Sequence, residues 1–168
     1  MAGRIKIAEK TVLDVYLERL QDHLAIETKT IETVLSELPG CERYETLCHQ
    51  MRQDLTMRRK HADELRTLLE RHGHPAPAAH ETVSSILNTV SSLLHGGEES
   101  NLLKSILTDT SYRAYQVASL DMLILLAERL GFTGDLTSFQ RLREDEIASI
   151  NQLRQNLPDI LTTYLAAY

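Results

Sequence analysis

The stretch that decides the fold is LDVYLERLQDHLAIETKTIETVLSEL, residues 13–38. Its apolar residues Leu13, Leu17, Leu20, Leu24, Ile31, Val34 and Leu38 recur at spacings of three and four, with one gap. That is the period of one face of an α-helix laid against a core. The gap is filled by Glu27, a carboxylate in the middle of the stripe. A buried charge needs a partner, so this residue predicts company on the neighbouring helices. The run holds no Gly or Pro, and Pro39-Gly40 closes it.

The same punctuation recurs along the chain. Breaks fall at His72-Gly73-His74-Pro75-Ala76-Pro77, at Gly96-Gly97 and at Gly131-Phe132-Thr133-Gly134. Between them the sequence predicts helix A over about 8–38, helix B over about 42–72, a short helix over about 80–94, helix C over about 98–130 and helix D over about 135–156. Asp135 is a candidate start for helix D, and Pro158 is expected to break or kink it. Four long rods, with short connections at A/B and C/D and a longer one at B/C, describe an all-α, up-down four-helix bundle with an extra short helix in the crossover. Residues 1–168 read as a single domain.

The chain has 168 residues, with 18 Lys plus Arg against 24 Asp plus Glu, and a net charge of −6. It is 42% hydrophobic and has 8 aromatic residues (6 Tyr, 2 Phe, no Trp). An acidic balance with few aromatics argues against nucleic-acid binding. The longest apolar run, Met122 to Ala127, is six residues, whereas a membrane span needs about 20. The N-terminus meets charge at once and shows no signal peptide. Cys41 and Cys48 lie seven apart in a helical pattern, which sets their Cα atoms about 10 Å apart, too far for a disulfide. Reduced thiols and a cytoplasmic location are therefore expected.

The other rods repeat the theme of apolar ends and a polar middle. Helix D reads Leu136, Phe139, Arg143, Glu146, Ile150, Leu153, Leu157. Helix B reads either Leu47, Met51, Asp54, Arg58, His61, Leu65, Leu68 or, rotated, Cys48, Met51, Leu55, Ala62, Leu65, Leu69. Helix C reads Leu102, Ile106, Asp109, Arg113, Gln116, Leu120, Leu123, Ala127, Leu130, or a version with Thr110, Ala114 and Val117 in place of the polar trio. On the polar alternatives, Glu27 and Glu146 meet either metal ions or the guanidinium groups of Arg58 and Arg113. On the rotated ones, several of these charges face water. His72, His74 and His80 lie in or beside a Pro/Ala loop without a zinc spacing. Arg58-Arg59-Lys60 reads as a solvated basic run, and Tyr112 and Tyr115 read as packing residues. The sequence shows no phosphate loop, nucleophile elbow or Cys-x-x-Cys.

Leu24 to Lys29, Leu65 to Gly73, Leu126 to Gly131 and Arg143 to Glu146 carry a resemblance to the ferritin-like diiron-carboxylate superfamily. Within it the chain resembles the small bacterial, stress-associated proteins of the YciF type (DUF892), over about residues 10–156. The resemblance implies ligand positions at Glu27 on helix A and Glu146 on helix D. It places the helix C ligand pair at Arg113 and Gln116, neither a carboxylate, and leaves His61 as the one candidate on helix B. It also implies a homodimer and a role in stress physiology. An intact diiron site offers about four carboxylates and two histidines. A guanidinium stays charged, ligates no metal and pairs with carboxylates in bidentate fashion. The expected site is thus degenerate: no metal cofactor, and a core network of Glu27, Arg58, His61, Arg113, Gln116 and Glu146, with Arg113 the main partner of the carboxylates. Two rival readings stand beside it. One is an iron or manganese oxidoreductase or metal store using Glu27, His61 and Glu146. The other is a helical adaptor for a protein partner.

Overall fold

The computed structural model describes residues 10–74 and 101–168. Helix α1 (Val12–Glu37) starts at a capping box: Asp14 N–H donates to Thr11 Oγ1 at 3.1 Å, and Thr11 N–H donates to the Asp14 carboxylate at 2.8 Å. These bonds satisfy donors the helix leaves orphaned. Pro39 then turns the chain into a 3₁₀ turn, Leu38–Cys41. Helix α2 (Glu45–Arg71) and helix α3 (Asn101–Leu130) both end on a glycine with positive φ, Gly73 at 71° and Gly131 at 72°. A side chain there would be strained, which is why glycine closes both helices. Helix α4 (Thr133–Leu165) completes the set.

Two sequence expectations about the helices need correction. Pro158 lies inside α4 and does not end it. Beyond Pro158, Ile160 is buried and Asp159 accepts a 2.5 Å bond from Thr46, so tertiary contacts hold the last turns of the helix. Asp135 is not the cap of α4 but its third residue, and it is buried. The short helix expected over 80–94 lies outside the described residues.

The cysteines also depart from expectation. Cys41 and Cys48 form a disulfide with Cα atoms 5.4 Å apart. Helix B was expected to run from residue 42, but α2 starts at Glu45. Cys41 therefore sits in the 3₁₀ turn, and the bend through residues 42–44 folds it back over the first turn of α2. The disulfide removes the thiol argument for a reducing compartment. Among the described residues no helix is long and apolar enough to cross a membrane.

Helix α1 packs on α2 and α3, and α4 packs on the same two. Tyr16 near the start of α1 meets His72 at the end of α2, Phe132 after α3 and Asp135 at the start of α4. At the opposite end, Leu47, Ile106, Leu153 and Ile160 gather the start of α2, the start of α3 and the end of α4. So α1 and α4 run one way, α2 and α3 the other. The chain leaves α2 at one end of the bundle and enters α3 at the other. The larger core cluster fills the Tyr16 end with Leu20, Leu65, Leu68, Leu123 and Phe139 among others. Each such side chain contributes roughly 1.5–3 kcal/mol by burial. Between the two apolar clusters lies a polar layer.

Candidate functional site: a buried guanidinium between two carboxylates

The polar layer is built from the middle of all four helices. Helix α2 takes the polar alternative: Asp54, Arg58 and His61 are buried, while Leu55 and Ala62 are buried beside them. Arg58 is fully buried and reaches the bundle axis. Its Nη1 donates to Glu146 Oε1 at 2.9 Å, to Gln116 Oε1 at 3.0 Å and to Glu27 Oε2 at 3.2 Å; its Nη2 donates to Glu146 Oε2 at 3.3 Å. Gln116 closes the ring by donating from Nε2 to Glu27 Oε2. Among the described residues, Arg58 Nε is the one buried side-chain polar atom without a hydrogen-bond partner.

His61 stands at the edge of this ring. Its Nδ1 lies 3.7 Å from Glu27 and 3.8 Å from Glu146, and its Nε2 lies 3.0 Å from Asp145. Asp145 is half exposed, so His61 links the buried carboxylates to the surface. Burial pushes the Glu27 carboxyl up to about 7; Arg58 opposes this, and Glu146 adds to it. Burial works against the Arg58 cation, but Glu27 and Glu146 outweigh it and hold the guanidinium above its ordinary value. One guanidinium faces two carboxylates, and that mismatch favours a proton on Glu27.

Arg113 was expected to neutralise Glu27 or Glu146, and it does not. Its Nη2 donates to Asp54 at 2.6 Å, its Nε to Asp109 at 2.7 Å, and its Nη1 to Ser149. Ser149 in turn donates to Asp54 at 2.5 Å. Register explains the difference. Asp54 precedes Arg58 by one turn, Arg113 precedes Gln116 by one turn, and Ser149 follows Glu146 by one turn on the antiparallel helix. Arg113 therefore belongs to a second polar layer, stacked on the first toward the disulfide end.

Helix α4 turns slightly from its expected stripe. Leu142 and Ser149 face the core, whereas Arg143 pairs with Asp121 at the surface and Ile150 is half-buried. His23, buried four residues before Glu27, bonds Ser119 at 2.9 Å; burial, then His61 and Arg58, press its imidazole down to about 3. The i, i+4 spacing to Glu27 was the available signal for it. Asp54 and Ser149 were signalled by the same periodicity. Nothing in sequence signalled Asp145, which is half exposed and meets the layer through His61.

Other candidates fall elsewhere. His72 donates from Nε2 to Asp135 at 2.6 Å, and Asp135 also accepts from Tyr16 and Arg71. His74 is exposed, and His80 lies outside the described residues. Arg59 and Lys60 are exposed, leaving Arg58 alone of the basic run inside. Tyr112 is buried and Tyr115 packs on Ala25 and Ile26.

Glu27, His61 and Glu146 bring ligand atoms within 4.8 Å of one another. A dimetal centre does not fit them as they stand. It needs roughly twice that donor set, and the guanidinium of Arg58 holds the oxygens a metal would use. A fixed cation at that point repels a second one.

Four rods arranged this way, with carboxylates at their middle, define a ferritin-like helical bundle. The family model described as Domain of unknown function (DUF892) matches residues 11–166, and the chain belongs to that family. Its fold is similar to that of the E. coli stress protein YciF: the crystal structure of that protein matches with a TM-score of 0.73 at 19% identity, covering 91% of this chain and 98% of that one. No curated protein matches the chain.

Proposed function

We propose that this chain is a non-catalytic, metal-free member of the ferritin-like bundles, in which a Glu–Arg network does the structural work of a dimetal centre. The observation that carries the reading is Arg58, fully buried and donating to Glu27 and Glu146 together. In a metal site, the carboxylates hold the cations and the cations hold the four helices. Here one guanidinium fixed to α2 reaches α1, α3 and α4 at once, with no ion to acquire or lose. The stress connection named for YciF, a bacterial protein, comes to this chain as part of the proposal, as does a cytoplasmic setting.

A homodimer belongs to the same proposal. On the outer side of α3, Leu107, Ser111, Ala114, Ala118, Met122 and Leu125 are exposed at spacings of three and four, without a charge among them. Such a seam is suited to a second copy of itself.

Elemental analysis of protein purified without chelator tests the metal-free reading. Iron and manganese are expected far below one per chain, before and after incubation with ferrous or manganous salt and desalting. Near-stoichiometric retained metal would sink it and favour an oxidoreductase or metal store using Glu27, His61 and Glu146.

A further inference from the structure

The second polar layer forms the floor of a cavity that the central network does not use. It opens between the end of α1, the start of α2, the start of α3 and the end of α4, and has a volume of about 300 Å³. That is at the lower end of the range for small-molecule sites. Its walls are apolar, with Leu47, Met51, Ile106 and Leu153 prominent, and Tyr44 presents an aromatic ring. The Cys41–Cys48 disulfide ties down one side, because Cys41 is itself part of the wall.

The polar groups of this cavity are unbalanced. Among the described residues, Asp54 and Asp109 on the floor and Glu37 at the rim supply three carboxylates against the single guanidinium of Arg113. Arg113 is committed to Asp54, Asp109 and Ser149, with a bond from each of its three nitrogens. It has little left to offer an anionic ligand. Glu37 and Asp109 line the same cavity; burial first, and the Asp109 charge second, hold the Glu37 carboxyl above its ordinary value, while a bond to Ser105 opposes them. Two acids lining one apolar cavity, one on its floor and one at its rim, are relieved by a cation between them.

We propose that this cavity binds an amphipathic organic cation, its hydrocarbon body lying between Leu47, Met51, Ile106 and Leu153 and its ammonium group placed between Glu37 and Asp109. The apolar wall supplies the affinity and the acid pair the choice of head group. Tyr44 adds a ring face that favours the same charge. A fatty acid of equal length would fill the same volume but bring its carboxylate against Glu37 and Asp109. The site is independent of whether the central layer holds metal.

The test uses the full-length protein and three probes with the same hydrocarbon chain: n-octylamine at neutral pH, octanoate and 1-octanol, each followed by calorimetry and by amide chemical shifts. Octylamine is expected to bind about tenfold more tightly than octanoate, with shifts centred on residues 44–51 and 102–109. Glu37→Gln, a change at the exposed rim, should weaken octylamine about fivefold and leave octanol unchanged. Met51→Trp, which fills the cavity, should abolish binding of all three. Octanoate binding as tightly as octylamine, an unchanged octylamine affinity in Glu37→Gln, or no binding by any probe would each overturn the proposal. Should Met51→Trp fail to fold, the head-group comparison and Glu37→Gln decide the matter without it.

Discussion

Arg58 carries its charge into a layer closed to water, and its value to the fold depends on what it leaves behind when removed. Arg58→Leu would strand Glu27 and Glu146 in the core with no cation between them. The expected loss is about 3–5 kcal/mol by urea denaturation. Removing all three charges together, as Glu27→Gln with Arg58→Leu and Glu146→Gln, should recover at least half of it, because the cost lies in the unpaired charge. A triple variant no more stable than Arg58→Leu would show that packing of the guanidinium is what matters. Two titrating neighbours add a dependence on pH. Glu27 titrates near 7 when folded against an ordinary 4.5, so the folded state holds its proton longer, and this group's contribution falls as pH rises from 4.5 to 7. His23 titrates near 3 when folded against 6.5, so its contribution is full above 6.5 and is lost as pH falls toward 3. The two slopes oppose each other between 4.5 and 6.5. Wild-type stability should be nearly flat there. His23→Gln should grow less stable as pH rises through that window, and Glu27→Gln more stable. Parallel profiles for the two variants would remove both groups as the source.

The carboxylates of this layer are legible in the sequence because each interrupts an apolar stripe. The choice between Arg58 and Arg113 is not. Both sit on polar stretches of their own helices, one turn apart in height once the helices are stacked. Only the axial register of α2 against α3 decides which guanidinium reaches Glu27 and Glu146. That register is set through the shared core cluster that holds Leu65 and Leu68 of α2 with Leu120 and Leu123 of α3, residues more than 50 positions apart. A periodicity along one helix carries no information about it.

At the scale of the elements, the runs free of Gly and Pro announce the rods, and two glycines with positive φ end two of them. The junction between α1 and α2 reads less well. Pro39 and Gly40 mark a turn, but the pattern gives no sign that residues 42–44 stay outside α2, and so the cysteine spacing misleads. The disulfide closes a loop of eight residues, 41–48, and holds the 3₁₀ turn against the start of α2. Chain-entropy arguments give such a loop about 2–3 kcal/mol. The double change Cys41→Ser with Cys48→Ser, or reduction with dithiothreitol, should lower the melting temperature accordingly. Amide exchange should then quicken in residues 38–48 first, since the larger core cluster lies at the other end of the bundle. Unaltered stability on reduction would mean that the packing of Leu47 and Tyr44 is enough to hold the junction.

At the scale of the whole molecule, one apolar surface stands out among the described residues. Helix α3 has apolar side chains on two sides: Leu120, Leu123 and Ala127 are buried in the core, while Leu107, Met122 and Leu125 are exposed at 58%, 45% and 64%. A helix with both faces apolar is normally covered on both. Antiparallel pairing of α3 with the same helix of a second copy, centred on residue 116, sets Leu107 against Leu125 of the partner subunit. Ala114 then meets Ala118 of the partner subunit, with small residues at the crossing where the backbones come closest. The symmetry is the two-fold kind in which one patch serves both partners. Sedimentation equilibrium should therefore give a dimer, and Ala118→Glu, which places two like charges near the axis, should give a folded monomer. The polar layers lie inside each bundle, so helix content and the slopes of stability against pH should survive that change. A wild-type protein that sediments as a monomer at micromolar concentration would leave the outer face of α3 to some other partner.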